Sequence, residues 1–423
     1  MTINLKQYII KFNLEFPTKL FYFTVRLVRT NHTLSKIDTF FNFIILGNKV
    51  MEKRLFESFK DSFRLGAAVG GILYDYEGAV KRHEKFLEFI KTHPKPEGMP
   101  DFKIPPLPKG PFIESEILAK HFNLVVAEND TKMCNVFPKP NEYDFSSADK
   151  FIEMAHKNNQ AVRWHTLVWH NQSPKWIFED EKGNKVSKEL LENRLKDYIF
   201  TVGNRYAKDV CSVDVVNECI SDKNFVLRDG NDHSKWFDIM GPEYVDKAFF
   251  WAKQAFPNSS LVINDYNLET MPPKREGMYN LVKGMLERGV PVDTVGLQMH
   301  INLENPPVSE IEKTIELFGS LGLKVIVTEM DVSVYKDFQP GKESEPRKEY
   351  TPEVLQAQAE RYKQIFDCFK KEADKGILQD VVLWGITDRF SWKNDFPVPG
   401  RTDAPLLFDI NGKPKPAFYE ICR

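Results

Sequence analysis

The sequence predicts an α/β fold, a (β/α)8 TIM barrel formed by one domain, and three observations predict it. Eight short apolar runs alternate with amphipathic stretches. Most of the runs are rich in Val, Ile or Leu with no polar alternation, the pattern of strands buried on both faces. Eight such units imply a closed parallel barrel. No G-x-G-x-x-G follows any run, so the open doubly wound sheet lacks its usual sign.

Taken in order, the strand-like runs are 64–69, 124–129, 161–169, 212–218, 260–266, 294–300, 324–331 and 380–386. Helical spacing of apolar residues marks 145–159, opened by Ser146 as N-cap, and 187–206, carrying Leu190, Leu191, Leu195, Tyr198 and Ile199. The stretches 244–256, 272–288, 309–321, 351–373 and 416–422 complete the set. One segment breaks the rhythm. Residues 74–112 hold a basic helix-like piece (79–91) and then seven prolines from Pro94 to Pro111, which no helix interior or central strand tolerates. It reads as a long surface insertion after the first strand.

Residues 51–423 are therefore expected to form the barrel, with 1–50 as an N-terminal extension of unclear role. The longest apolar stretch there, 40–46, is interrupted by Asn42 and is too short to span a bilayer; no A-x-A-like cleavage site follows it. The expectation is a cytoplasmic location and no membrane partner. With 58 basic against 60 acidic residues, the net charge of −2 offers no field for nucleic acid. Five scattered cysteines form no C-x-x-C, so neither a zinc nor a redox spacing is present, and Cys211 and Cys219 read as small buried hydrophobes. Most of the 33 Phe, 14 Tyr and 7 Trp must be core, but sugar-binding clefts also use exposed rings, so the aromatic content leans gently toward carbohydrate.

In a barrel, chemistry sits at the C-terminal ends of the strands. There the sequence places Glu128, Asn129 and Lys132; His165, Trp169 and His170; Asn217 and Glu218; Asn264, Asp265 and Tyr266; Gln298 and His300; Glu329 and Asp331; and Trp384. Each alone has a structural explanation, but seven strands converging polar groups on one rim imply a site. Carboxylates after strands four and seven face one another across the barrel mouth. That arrangement suits glycoside hydrolysis, in which one carboxyl protonates the leaving oxygen and the other attacks the anomeric carbon. Metal chemistry competes through His165, His170 and His300. However, His165 and His170 differ by an odd number, and there is no H-x-H or H-E-x-x-H. No G-x-S-x-G offers a serine nucleophile.

The runs 127–132 (AENDTK), 163–170 (RWHTLVWH), 214–218 (DVVNE), 296–300 (GLQMH) and 327–331 (VTEMD), followed by Trp384-Gly385 and Ser391-Trp392, resemble glycoside hydrolase family 10, the endo-β-1,4-xylanases. The resemblance extends from about Phe63 to the C-terminus. It implies a retaining enzyme that cleaves xylan or xylo-oligosaccharides, with no cofactor and no metal. By motif, Glu218 is implied as acid/base and Glu329 as nucleophile. Asn217 would bond the 2-hydroxyl, His300 would hold the nucleophile and be oriented by Asp331, and Gln298 would lie between the carboxyls. Glu128, Asn129, Lys132, His165 and Gln172 would bind glycone hydroxyls. Trp169, Trp384 and Trp392 would wall the reacting sugar, and Tyr266 would serve the leaving group. Trp164 and Thr131 stand where the family often has Gly and Met. Two rivals remain: a β-1,4-glucanase (cellulase) on the same barrel, and a non-catalytic barrel that only binds polysaccharide.

Overall fold

The runs of buried Val, Ile and Leu do form a ring of parallel strands. In the computed structural model, which describes residues 2–5, 8–11, 54–92, 107–336, 350–398 and 400–423, these are β1 (Arg64–Val69), β2 (Leu124–Ala127), β3 (Ala161–Trp164), β4 (Val210–Asn217), β5 (Ser260–Asp265), β6 (Thr294–Leu297), β7 (Lys324–Ser333) and β8 (Leu378–Leu383). Each pairs with the next, and β8 returns to β1 through Asp380↔Arg64, which closes the barrel. Arg64 reinforces that closure with two bonds to the Asp380 carboxylate, at 2.7 and 2.8 Å. Full burial of Val213, Val215, Ile263, Val295 and Val327 stabilises the ring by roughly 1.5–3 kcal/mol per side chain.

Two strands are shorter than the sequence suggests. The third stops at Trp164 and resumes only as Val168–Trp169, paired to Val216 and Asn217 of β4. The sixth stops at Leu297 and resumes as His300–Asn302 against β7. Met299 adopts φ 59° in the second break. The polar residues at these breaks leave the ladder, which frees their side chains for the barrel mouth. The parity argument applied to His165 and His170 assumed a regular strand, and the break after Trp164 removes that premise.

Helices cover the ring. The 74–112 segment is not simply a loop: its first part is α1 (Tyr76–Thr92), and residues 93–106, with most of the prolines, lie outside the described residues. Arg82 of α1 bonds Ser147 (2.6 Å) and contacts Asp75 and Asp130 (3.3 and 3.2 Å), tying the helix to the loop that carries Glu128 and Asn129. A helix the sequence reading left unassigned, α2 (Ile113–His121), follows; Ile117, Leu118 and His121 lie on its buried face. The others that cover the ring are α3 (Ser146–Lys157), α4 (Lys188–Tyr206), α5 (Glu243–Ala255), α6 (Pro272–Glu287), α7 (Val308–Gly319), α8 (Pro352–Asp374) and α9 (Pro416–Ile421), and short helical pieces at Met133–Val136 and Lys235–Met240 lie in the connections. Ser187 and Thr351 accept from Leu190 N and Val354 N, each cap contributing about 1 kcal/mol. Ser146 is not the expected cap. It is the first helical residue, and its hydroxyl and N–H both donate to Asp144.

The chain separates into Met1–Glu52 and Lys53–Arg423. In the first unit Thr2–Leu5 and Tyr8–Lys11 pair antiparallel; the second holds the barrel. The five cysteines are unbridged. Among the described residues, no helix is long and apolar enough to cross a membrane.

Candidate active site

Strand β4 ends on Asn217, and the next residue, Glu218, takes φ 54°, a left-handed conformation uncommon for a residue with a side chain. Its N–H donates to Asn264 O at 2.8 Å, so the turn is held from β5. Gln298 Nε2 donates to Glu218 Oε1 (3.1 Å) and the Trp169 indole N–H to Oε2 (2.8 Å). Trp169 thus holds the carboxyl as well as offering a ring face. Burial pushes the Glu218 carboxyl above the usual range, Asp265 and Glu329 push it further, and the two donors oppose only part of this.

Glu329 lies in the middle of β7 and is buried, deeper than the partly exposed Glu218. Burial works to raise its carboxyl too, but the His300 contact, the charges of His165 and His300, and a bond from Asn264 outweigh it and hold Glu329 below the usual range. Asn264 Nδ2 donates to Glu329 Oε1 (2.9 Å) and His300 Nε2 stands 3.4 Å from Oε2. His300 Nδ1 contacts Asp331 Oδ2 at 2.9 Å. Burial would lower the imidazole, yet Asp331 and Glu329 raise it to about 9, so it carries charge at neutral pH. Trp392 Nε1 (2.8 Å) and Lys393 Nζ (3.4 Å) complete the Asp331 surroundings.

The two carboxyls share one network. Asn264 Nδ2 also donates to Asn217 Oδ1 (2.9 Å), while Thr328 Oγ1 donates to Asn264 Oδ1 (2.7 Å). Gln298 Nε2 reaches Asn217 Oδ1 at 3.4 Å, and its backbone carbonyl accepts from Glu329 N at 3.1 Å. Gln298 therefore bridges the pair, with its side chain toward Glu218 alone. Asn217 Nδ2 is buried with no partner in the protein, a donor open to a substrate oxygen. Gly296 makes the packing possible: a Cβ there would lie 2.4 Å from Asn264 Oδ1.

Lys132 Nζ bonds Asn129 Oδ1 (3.1 Å) and stands 4.8 Å over the Trp169 ring. Burial lowers its ammonium, against the pull of Glu329, Glu128 and Glu218. His165 Nδ1 contacts Asp214 Oδ2 (2.8 Å), and Arg163 pairs with the other Asp214 oxygen (2.6 Å). The Trp384 ring lies 5.5 Å from His165 and 6.4 Å from His300, and Trp392 lies 4.8 Å from His300. Tyr266 belongs to the Glu218 side: its hydroxyl donates to Asp222 (2.5 Å), and Arg228 links it (3.3 Å) to Glu218 O (3.2 Å). A cavity of about 160 Å³ adjoins Glu128.

Gln172 is the exception among the expected residues. It is exposed, and its recorded contact is a backbone carbonyl accepting from Cys134 N. In the other direction, Asn264 at the end of β5 was legible only as one polar residue among several, and Asp214 and Thr328 within strand runs gave no sign of their roles. Of the two departures, Trp164 fills core against Tyr206 (4.9 Å), and Thr131 Oγ1 donates to His165 O (2.5 Å). The carboxylate group that could hold a metal among the described residues is Glu312, Glu316 and Glu372, on α7 and α8 and not at the barrel mouth.

The family model for glycosyl hydrolase family 10 matches residues 108–423. An endo-1,4-beta-xylanase A of Caldicellulosiruptor saccharolyticus is 43% identical over 315 residues, 74% of this chain and 89% of that protein. A solved structure from Paenibacillus barcinonensis, described as GH10, superposes with TM-score 0.75 at 36% identity, over 88% of this chain and 97% of its own. A mutant solved in complex with xylotriose gives 0.73 at 39% identity, over 87% and 99%. An intracellular xylanase of Thermoanaerobacterium saccharolyticum gives 0.70 at 34% identity, over 87% and 98%. A closed parallel barrel with paired buried glutamates after its fourth strand and on its seventh, matched over three quarters of its length, places this chain in glycosyl hydrolase family 10.

Proposed function

We propose that this protein is an endo-1,4-β-xylanase that hydrolyses internal bonds of xylan or xylo-oligosaccharides with retention, through a covalent glycosyl-enzyme. The observation that carries the reading is the opposite electrostatic setting of two carboxyls, both withdrawn from water, in one hydrogen-bonded network. Glu218, raised, is the group able to hold a proton for the departing oxygen; Glu329, lowered, is the group ionised for attack on the anomeric carbon. Asn217 Nδ2 offers the free donor for the sugar 2-hydroxyl. When the leaving group departs, Glu218 becomes the base that activates water for the second step. Glu128, Asn129, Lys132 and His165 line the glycone side, with Trp384 and Trp392 as apolar walls.

Comparing reducing ends released from xylan and from carboxymethylcellulose tests the substrate, and NMR of the first product tests the stereochemistry. Xylan cleavage giving the β-anomer is expected, with the reacting carboxyl oxygens ~5–5.5 Å apart. Preferential cleavage of the glucan would favour the β-1,4-glucanase, and an α-anomer would mean inversion. A cytoplasmic location is part of the proposal, supported by the relative described as intracellular; fractionation of native cells with N-terminal sequencing tests it.

A further inference from the structure

A second cavity, of about 170 Å³, lies beside the catalytic network on the nucleophile side. His300, Tyr335, Lys336, Lys393, Phe396, Arg401 and Asp403 are among its lining residues. Its charge differs from that of the cavity near Glu128, which two carboxylates, Glu114 and Glu128, line without a cation. Here four cations, His300, Lys336, Lys393 and Arg401, meet one acid. The acid is already committed to the fold: Asp403 accepts from Ser333 Oγ, Val334 N (3.1 Å) and Ala404 N (2.7 Å). Lys393 and Lys336 have the distant company of Asp331 (3.4 Å) and Glu304 (3.3 Å).

Arg401 has no such company. It is 9% exposed, its Nε–H is buried without an acceptor, and no carboxylate of the described residues pairs with it. Its guanidinium lies 4.2 Å over the Tyr335 ring, a contact that fixes the plane but satisfies no N–H. A buried cation with unused donors is costly unless an anion completes it, and a planar fork of this kind matches a carboxylate. Phe396, 47% exposed, adds an open ring face of the sort that packs on sugar C–H groups, and the volume suits one ring and not a chain segment.

We propose that this cavity binds a carboxylated sugar: a hexuronic acid carried as a branch on the xylan backbone, its carboxylate on Arg401 and its ring against Phe396. The proposal rests on the xylanase reading for the backbone alone. A free carboxylate anion shares the chemistry, so the test must separate the two sources. It compares three xylo-oligosaccharides of one backbone length: linear, bearing a glucuronic acid branch, and bearing that branch with its carboxyl reduced to an alcohol. Values of kcat/KM are measured for the wild type, Arg401→Gln, Arg401→Lys and the surface variant Lys336→Glu, whose parent side chain is 63% exposed and so tolerates change without risk to the fold. Arg401→Gln is expected to lose roughly 10–100-fold on the acidic branch while changing by less than about two-fold on the linear and reduced substrates. Arg401→Lys should recover part of the loss, and Lys336→Glu should weaken the acidic branch alone, by about three-fold. Equal losses on all three substrates would make Arg401 a packing residue and overturn the proposal, as would no loss on any. Inhibition of linear-substrate cleavage by free glucuronate, relieved by Arg401→Gln but without any Arg401 dependence on the branched substrate, would overturn it in favour of an anion effector. If the wild type cleaves none of the three, the xylanase reading fails, and calorimetric binding of acidic against reduced oligosaccharide still decides the pocket.

Discussion

The end of β4 and the middle of β7 present the same side chain and shift its proton affinity in opposite directions. Glu218 and Glu329 are both withdrawn from water, so burial alone would raise both. What differs is the company. Around the Glu218 carboxyl the donors are neutral, an amide and an indole, and the charges that shift it are the carboxylates of Asp265 and Glu329. Around Glu329 two imidazoles face the carboxylate, and Asp331 keeps one of them protonated. Which of the two carboxyls holds a proton more readily is set by the charges that the neighbouring strands deliver. Neither the residue type nor its burial decides it.

The sharpest way to break this comparison is to remove each carboxyl in turn. Glu329→Ala should cost on the order of 10⁴-fold or more in kcat on every substrate, because no covalent step remains; azide should restore some turnover with inverted anomer. Substantial residual hydrolysis by a correctly folded variant would move the nucleophile elsewhere. Glu218→Ala should be nearly as damaging on xylan. On an aryl xylobioside, whose nitrophenolate needs little protonation, the first step should survive while the second stalls without its base. Stopped-flow should then show a burst, and azide should yield a glycosyl azide. Equal losses on both substrates with no burst would refute the assignment.

Smaller changes adjust the two settings without deleting a carboxyl. The active form needs Glu218 protonated and Glu329 ionised, so kcat/KM should fall as pH rises through the raised Glu218 value and as pH falls through the lowered Glu329 value. His300→Asn removes a positive charge from Glu329. Its carboxyl should rise, the acidic limb of the profile should move to higher pH, and kcat should drop on the order of 10–100-fold. An unchanged acidic limb would mean His300 does not set the nucleophile. The smallest effect is expected from Trp169→Phe, which keeps the ring and deletes one N–H to Glu218. Because that bond lowers the Glu218 value, its loss should move the basic limb to higher pH, with kcat down about three- to ten-fold. A shift confined to the acidic limb would contradict the geometry.

Much of this is legible in the sequence. Apolar runs without alternation identify doubly buried strands wherever they occur, because a period-two pattern vanishes when both faces are covered. That is why all eight barrel strands were found in order. The motif runs carry their own signal as well: Asn217-Glu218 stand at the end of β4 and Glu329 within β7, where a purely structural residue would be apolar. Residues 113–121 escaped notice because their apolar spacing follows directly on the proline run. Ser146 misled because Asp144, two residues earlier, competes for its hydroxyl.

The sequence by itself determined the barrel, the rim that carries chemistry and the pair of glutamates, since strand burial and strand-end polarity are local patterns along the chain. Only the tertiary structure gives the physical reason why Glu218, the acid that the motif implies, is the raised carboxyl and Glu329 the lowered one. That outcome depends on Asn264 reaching Asn217 and Glu329 from β5, on Asp331 charging His300, and on Trp169 turning its N–H to Glu218. It likewise decided that Arg401, a single basic residue in a turn-rich stretch, is buried without an anion among the described residues. A pKa and an unpaired charge are sums over neighbours from several strands, and sequence spacing carries no record of those distances.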